Sequence, residues 1–206
     1  MNRSIGGLCV GLAFSALSSA ASAAALTVVT VAAPDINCVF ETDCTIEVTD
    51  SLGTFTHPGA TGTGRLQSRT FTGKPGAPAA GKTGYEYRLD MTQMTAIGDT
   101  ACVTAMHIDF GPISKLQYNK IGPVDDVFVV TKGGLGSIGL ASAEQVGAVI
   151  TFNFSQPVCA ADPVTPGKTS FFFGLASTHV PKGVVALLDA PGVDDPLKIK
   201  ARAPAH

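Results

Sequence analysis

The chain has 206 residues, and its 14 Lys and Arg against 16 Asp and Glu give a formal net charge of −2. No cluster of Lys and Arg interrupts this mild acidity, so the composition excludes a nucleic-acid partner, which requires one. The 23 glycines and 13 prolines suit many short strands joined by tight turns. Trp is absent, which removes the aromatic platform on which sugar-binding sites often depend.

The first 23 residues have the pattern of a bacterial secretory signal peptide. Arg3 gives a positive start, residues 5–17 form a short apolar core, and Ala21-Ser22-Ala23 offers small residues for cleavage. Cleavage after Ala23 leaves 206 − 23 = 183 residues, a length that fits one domain over residues 24–206. No later segment has the roughly 18 consecutive apolar residues of a membrane span. We therefore expect a soluble protein that is secreted or remains in the periplasm or at the cell surface.

Alternating apolar and polar residues predict strands along most of the chain. The pattern is clearest over residues 85–91, where Tyr85 and Tyr87 share one face and Glu86 and Arg88 share the other. We therefore expect the two tyrosines in the core or at its rim, and the charged residues in solvent. In chain order, the other runs of strand character are residues 26–33, 45–49, 64–72, 102–110, 124–130, 146–154, 169–176, 184–188 and 197–201.

Short segments rich in Gly and Pro separate the predicted strands. Only residues 141–147 have a spacing that suits a helical turn. A chain with about ten strands, and with little or no helix beyond its signal peptide, packs best as two sheets face to face. The predicted fold is all-β: a two-layer antiparallel β-sandwich of jelly-roll or immunoglobulin-like type.

Four cysteines remain after removal of the signal peptide, which contains Cys9. An even number in an exported chain indicates disulfides, and four cysteines allow three pairings. We expect Cys38–Cys44 as a local clip and Cys102–Cys159 as a link between distant strands. A metal site is the alternative interpretation, but the sequence has no Cys-x-x-Cys pair.

Two glycine-rich segments match nucleotide-binding patterns. Residues 76–83 satisfy the phosphate-loop pattern, yet a predicted strand follows where the phosphate-binding helix should begin. Residues 134–139 match the dinucleotide fingerprint, but the repeating strand–helix–strand unit is absent. We interpret the first segment as part of a mobile surface loop over residues 74–84, and the second as a glycine-rich hairpin connection.

Asn119, Asp125 and Asp126 are the candidate metal ligands. Their side-chain oxygens, together with carbonyls of a Gly-containing loop, could coordinate calcium. True calcium loops have denser acids, and Lys120 stands where a further ligand would help. The alternative interpretation is a polar turn that leads into a strand. No other cofactor is expected.

The sequence predicts no catalytic residues. Besides the terminal His206, the histidines are His57, His107 and His179, and none belongs to a Gly-x-Ser-x-Gly elbow or a His-Glu-x-x-His helix. His107 lies on the outward face of a predicted strand, which favours a solvated position. A hydrolase would require one of these histidines to meet an acid and a nucleophile in a pocket.

Four strand-and-turn segments span most of the chain: Tyr85-Glu-Tyr-Arg-Leu-Asp, His107-Ile-Asp-Phe-Gly, Asp126-Val-Phe-Val-Val and Ser170-Phe-Phe-Phe-Gly-Leu-Ala-Ser. In these segments the chain resembles exported bacterial β-sandwich proteins that often carry a PEP-type C-terminal sorting signal. The resemblance implies a protein of the cell surface or extracellular matrix. Residues 198–206 contain no Pro-Glu-Pro, no apolar helix and no terminal basic cluster, so we do not expect anchoring by that signal.

Three functions are compatible with these observations. The first is a secreted, disulfide-stabilised and non-enzymatic protein with a structural, adhesive or matrix-associated role, whose partner would be a surface polysaccharide or a protein matrix. The second is a small-ligand or glycan-binding module, with the loops at residues 74–84 and 133–139 as its mouth. The third is a hydrolase. The sequence favours the first.

Overall fold

The computed structural model describes residues 22–98, 101–119 and 121–206. The predicted signal peptide therefore lies almost entirely outside the described residues. Within them the chain forms one helix and fourteen strands. The helix is α1 (Ala33–Phe40), and the strands are β1 (Ala24–Leu26), β2 (Val28–Ala32), β3 (Thr49–Phe55), β4 (Ala60–Gly62), β5 (Gly64–Thr72), β6 (Thr83–Asp90), β7 (Met94–Ala96), β8 (Cys102–Asp109), β9 (Val127–Lys132), β10 (Leu140–Val146), β11 (Val149–Cys159), β12 (Phe172–Ser177), β13 (Pro181–Asp189) and β14 (Leu197–Pro204).

Two six-stranded sheets contain most of these strands. Sheet A has the strand order β1-β10-β11-β8-β13-β14, and sheet B has the order β2-β9-β12-β6-β5-β3, while β4 and β7 pair separately. Neighbouring strands are antiparallel in every pair but β2–β9, and β10–β11 and β13–β14 are hairpins with direct connections. The predicted two-layer β-sandwich is confirmed. The predicted number of strands was too low because one run divides in two and short strands such as β4 and β7 lacked a clear pattern.

The inward faces of the two sheets enclose the main core. Tyr85 and Tyr87 are fully buried there, and each hydroxyl donates a 2.7 Å hydrogen bond to a backbone carbonyl. Phe152 of sheet A packs against Phe173 of sheet B, with ring centroids 5.0 Å apart. Both tyrosines were expected in the core or at its rim, and the structure places them in the core. Their hydrogen bonds leave the buried hydroxyls satisfied, as burial of a polar group requires.

The N-terminal segment joins the two sheets. β1 pairs antiparallel with β10 at the edge of sheet A, and β2 then pairs parallel with β9 at the edge of sheet B. Thr27 lies at the crossing, where its carbonyl accepts hydrogen bonds from the N–H groups of Asp126 and Val127. The single strand expected over residues 26–33 is therefore divided, and its second half adds a parallel pair to an otherwise antiparallel sandwich.

Helix α1 covers part of the outer face of sheet B. Pro34 stands in its first turn, where no N–H is needed, and Ile36, Val39 and Phe40 form its buried side at helical spacing. The expectation of little helix is confirmed, although the position of α1 was not predicted. The helical turn expected over residues 141–147 lies largely in strand β10. The buried side of α1 belongs to a second apolar cluster, whose other members are Val31, Phe71, Ala79, Leu116, Tyr118, Phe128, Val130, Phe172 and Ala176.

The loop between β5 and β6 packs against α1. The N–H groups of Lys74 and Ala79 donate to the carbonyls of Phe40 and Val39, each at 2.9 Å, and Ala79 is fully buried. The mobile loop expected over residues 74–84 is therefore an anchored one. Strand β6 begins at Thr83, the last residue of the phosphate-loop pattern, so a strand and not a helix follows the loop.

Both predicted disulfides are present. Cys38–Cys44 joins α1 to the segment that follows it, across a sequence separation of 6. Cys102–Cys159 joins β8 to β11 across a separation of 57, and the two residues are direct partners in the antiparallel register. Two disulfides indicate an oxidising environment outside the cytoplasm.

Candidate functional site

A groove lies between α1 and the outer face of sheet B. We call it the α1 groove; α1, residues 46–48, the turn at residues 133–135 and strands β5, β6, β9 and β12 line it, and its volume is about 380 Å³. Small-ligand sites are concave, mostly apolar and carry few polar groups, which is the composition of this lining. The apolar side chains are Ala33, Ile36, Ile46, Val48, Val130, Leu135 and Phe172, and the polar ones are Asn37, Arg69 and Glu86.

Glu86 is the buried ionisable group of the α1 groove. It is 4% exposed, and burial raises the pKa of its carboxyl to about 7, although the nearby Arg69 guanidinium lowers it and the Asp50 carboxylate raises it further. The sequence placed Glu86 in solvent because it alternates with the core tyrosines. That prediction is wrong because α1 and its neighbouring segments cover this part of the outer face.

Two arginines flank Glu86. The Arg69 guanidinium lies over the Phe172 ring at 4.2 Å from its centroid, and the Arg88 guanidinium lies over the same ring at 5.2 Å. Arg69 Nε donates to Asp50 Oδ1 at 3.0 Å. Arg88 Nε is buried and has no hydrogen-bond partner among the described residues. A planar cation on an aromatic face is held in place by cation–π attraction, so both guanidinium groups are oriented before any ligand arrives.

The Cys38–Cys44 disulfide shapes one wall of the α1 groove. Cys38 belongs to α1, whose Ile36 and Asn37 line the groove. Cys44 leads into the segment that carries Ile46 on the same wall. The disulfide therefore fixes the spacing between the helix and this segment.

The opposite wall is a glycine-dependent turn. Gly133 has a φ of 70°, in the left-handed region that glycine adopts without strain. At Gly134, a Cβ atom would lie 3.0 Å from the Val130 side chain. The turn can therefore approach β9 closely, and it places Leu135, which is 60% exposed, at the rim of the groove.

The two loops predicted to form one mouth do not meet. Residues 133–135 line the α1 groove, as expected for a ligand-binding loop. Lys74 and Thr83, from the other loop, line a different cavity of about 410 Å³ beside Pro181 and Arg202. The segment at residues 134–139 also connects β9 of sheet B to β10 of sheet A, so it is a crossing between the sheets and not a hairpin.

Two of the three candidate calcium ligands, Asp126 and Asn119, already have partners within the protein. Asp126 Oδ2 accepts hydrogen bonds from Thr27, and Lys115 Nζ lies 3.2 Å from the same carboxylate. Asn119 Oδ1 accepts the N–H of Ile121 at 3.1 Å. Asp125 Oδ2 is buried without a partner among the described residues. Those residues contain no group of three or more His, Cys, Asp or Glu placed to hold a metal ion.

His107 makes the arrangement closest to a catalytic triad. Its Nε2 lies 2.8 Å from Asp189 Oδ2, and its Nδ1 lies 2.9 Å from Thr151 Oγ1. The three side chains come from neighbouring strands of sheet A and lie on its outer face, where His107 is 28% and Asp189 44% exposed. The adjacent cavity, about 260 Å³, is lined by Asp189 but not by His107 or Thr151. A cross-strand polar ladder explains this row without catalysis.

The other two internal histidines have structural contacts. His57 is 5% exposed, its Nδ1 accepts the N–H of Gly59 at 3.0 Å, and burial lowers the pKa of its ring. His179 Nδ1 lies 3.3 Å from Ser177 Oγ, but that hydroxyl donates to the Pro112 carbonyl at 2.8 Å. Neither histidine lines the α1 groove.

Comparison of the chain with protein-family models, with curated proteins and with solved structures finds no significant match. The resemblance to exported bacterial β-sandwich proteins therefore stays a prediction. In the part of the chain that the structure describes, no helix combines the length and the apolar character needed to cross a membrane. The function has to be inferred from the geometry of the α1 groove.

Proposed function

We propose that the protein is an exported, non-enzymatic binding protein that holds a small ligand in the α1 groove. The observation that carries this proposal is Glu86, which is 4% exposed at a groove with mostly apolar walls. A buried ionisable group without structural need destabilises a fold, and such groups concentrate at functional sites. The groove volume, about 380 Å³, suits a ligand of small-molecule size.

The test compares a blocked groove with an open one. Asn37→Trp, on α1, places an indole in the groove, and Val185→Trp places one on the exposed outer face of sheet A as the control. A panel of glycans, organic acids and other metabolites is screened by thermal shift against the parent and both variants, and hits are measured by isothermal titration calorimetry. We expect a ligand that binds the parent and Val185→Trp but not Asn37→Trp.

Two results would contradict the proposal. Hits that bind Asn37→Trp as tightly as the parent would remove the groove as the binding site. Turnover of a substrate by the purified protein, abolished by Thr151→Val or His107→Asn, would replace a binding function with a hydrolytic one centred on the outer face of sheet A.

Structural or adhesive association is a second candidate, and the edge of sheet B favours it. β3 pairs with β5 on one side only, and its Leu52 is 58% exposed. Edge strands with apolar side chains can pair with other chains. Native protein that sediments with extracellular matrix, and is released by Leu52→Lys, would support this role, whereas a soluble monomer at all concentrations would remove it.

A further inference from the structure

We propose that the ligand of the α1 groove is an organic acid with an apolar body and a single carboxylate. The carboxylate would lie beside Arg69 and Glu86, which line the groove, near the Arg88 guanidinium on the Phe172 ring. The apolar body would lie between the side chains of Ile36, Val130 and Leu135. This inference rests on the proposed binding function and adds the class of ligand to it.

The charges at the groove favour an anion. Arg69 and Arg88 contribute two positive charges beside Phe172, and Asp50 contributes one negative charge that is already engaged with Arg69 Nε. Arg88 does not itself line the groove, but its guanidinium lies over the Phe172 ring that does, so its charge adds to that of Arg69 at this end of the groove. Guanidinium groups bind carboxylates in a planar, two-bond geometry that an ammonium group cannot reproduce.

Glu86 completes the site as a hydrogen-bond donor. Below its raised pKa the carboxyl keeps its proton, so it can donate to a ligand carboxylate instead of repelling it. The charged groups that face it are Arg69 from β5, Arg88 from its own strand and Asp50 from β3. The residues that face it from α1, β9 and β12 are uncharged, namely Asn37, Val130 and Phe172.

A cationic ligand is the alternative to an acid, and the positions of the two arginines disfavour it. An amine that approached Glu86 would lie beside the Arg69 guanidinium and close to that of Arg88, and like charges at such distances repel each other. A neutral alcohol would gain the apolar contacts but no attraction from the guanidinium charges of Arg69 and Arg88. The three functional groups can therefore be compared on one apolar chain.

The experiment uses octanoate, 1-octanol and octylamine as probes of equal length. Calorimetric titration of the full-length mature protein at pH 6 should give binding of octanoate at least about tenfold tighter than that of the other two. Between pH 6 and pH 8 the octanoate affinity should fall about tenfold, because Glu86 loses the proton that it donates. Glu86→Gln, whose amide still donates, should bind octanoate at pH 6 and show no such fall.

Three further variants locate the carboxylate. Arg88→Met and Arg69→Met keep an apolar stem and should each weaken octanoate at least about tenfold. Arg65→Met is the matched control, because Arg65 lies on β5 as Arg69 does, is exposed, does not line the groove and, unlike Arg69 and Arg88, has no guanidinium over the Phe172 ring. Unchanged melting temperatures and circular dichroism show that each variant is folded.

The outcomes separate this inference from the proposed function. Tighter binding of octylamine than of octanoate would overturn the acid assignment. So would octanol that binds as tightly as octanoate and keeps its affinity in Arg88→Met. Either result would leave the groove as a binding site. Failure of all three probes to bind would also overturn it. The groove is excluded as a binding site only if ligands from the screen bind Asn37→Trp as tightly as the parent.

Discussion

Thr27 donates two hydrogen bonds to one carboxylate oxygen of Asp126, one from its N–H and one from its hydroxyl, each at 2.9 Å. The Asp126 N–H donates in turn to the Thr27 hydroxyl oxygen at 2.9 Å. The two residues are 99 positions apart, and the Asp126 side chain is 2% exposed. Because the chain crosses from sheet A to sheet B at Thr27, this pair fastens the N-terminal segment to both sheets.

Asp126→Ala should destabilise the protein by about 2 kcal/mol, because it leaves the donors of Thr27 without their acceptor and removes a charged hydrogen-bond partner. Thr27→Val keeps the backbone bond and should cost about 1 kcal/mol. Urea unfolding followed by circular dichroism measures both values. Hydrogen exchange should show lost protection in β1 and β2 before β13. A urea midpoint equal to that of the parent for Asp126→Ala would show that the crossing is fastened elsewhere.

The same contacts bear on the predicted calcium site. Asp126 already pairs with Lys115, and the Asn119 amide oxygen already accepts a backbone N–H. We therefore expect that neither calcium nor a chelator changes the melting temperature, because a metal would have to displace these partners. A melting temperature raised by calcium, with the increase lost in Asp125→Asn, would restore the calcium hypothesis.

The alternating pattern predicted which side chains of sheet B point into the core, but not what covers the outer face of the sheet. A period of two fixes which side chains share a face, so Tyr85 and Tyr87 were placed correctly on the inward face. The pattern does not say what covers the second face. Glu86 was expected in solvent because nothing in its own strand shows that α1 packs there. A helical signal does exist, since Pro34 precedes Ile36 and Phe40 at helical spacing, but eight residues are too few to stand out.

The α1 groove was only partly predictable. The glycines at residues 133–134 marked a loop suited to ligand binding, and the structure places that loop at the groove. Arg69 and Phe172 lie far apart in the sequence, and only the strand order β12-β6-β5 brings them together. That order follows from long-range pairing, which periodicity along a single strand does not contain.

The two disulfides should differ in their effect on stability. The Cys102→Ser/Cys159→Ser variant should lose about 4 kcal/mol in the free energy of unfolding, because the link closes a long loop in the unfolded chain. The Cys38→Ser/Cys44→Ser variant should lose about 2 kcal/mol, because its loop is short. Urea unfolding under non-reducing conditions measures both. Equal losses, or a larger loss for the short clip, would contradict the loop-closure argument.

For ligand binding, the Cys38–Cys44 disulfide should matter more than the Cys102–Cys159 disulfide. Cys38–Cys44 spaces α1 from the segment with Ile46, so Cys38→Ser/Cys44→Ser should weaken a groove ligand such as octanoate. Cys102 and Cys159 lie in sheet A, away from the groove, and their replacement should leave the affinity of the folded protein unchanged. Calorimetry well below both melting temperatures makes the comparison. If the short clip leaves the affinity intact, the wall of the groove does not depend on it.

Glu86 should make the stability depend on pH. Its pKa is about 7 in the folded protein against an ordinary value of 4.5, so the folded state holds the proton more tightly than the unfolded state. This group therefore leaves the protein most stable below about pH 4.5 and lowers the free energy of unfolding as the pH rises through about 7. Glu86→Gln cannot ionise and should be more stable than the parent at pH 8, by on the order of 3 kcal/mol, and equal to it near pH 4.

The titration of His57 changes the stability with pH in the opposite direction, so its effect must be separated from that of Glu86. Burial lowers the pKa of His57, so the stability it contributes is present above its ordinary value of 6.5 and is lost as the pH falls through the folded value. Both proteins contain His57, so it cancels when the unfolding curve of Glu86→Gln is subtracted from that of the parent at each pH. Glu47→Gln, at an exposed position, is the control and should follow the parent throughout. A difference between Glu86→Gln and the parent that is the same at pH 5 and pH 8 would show that Glu86 is already ionised in the folded state, and the acid-binding role inferred for it would lose its donor.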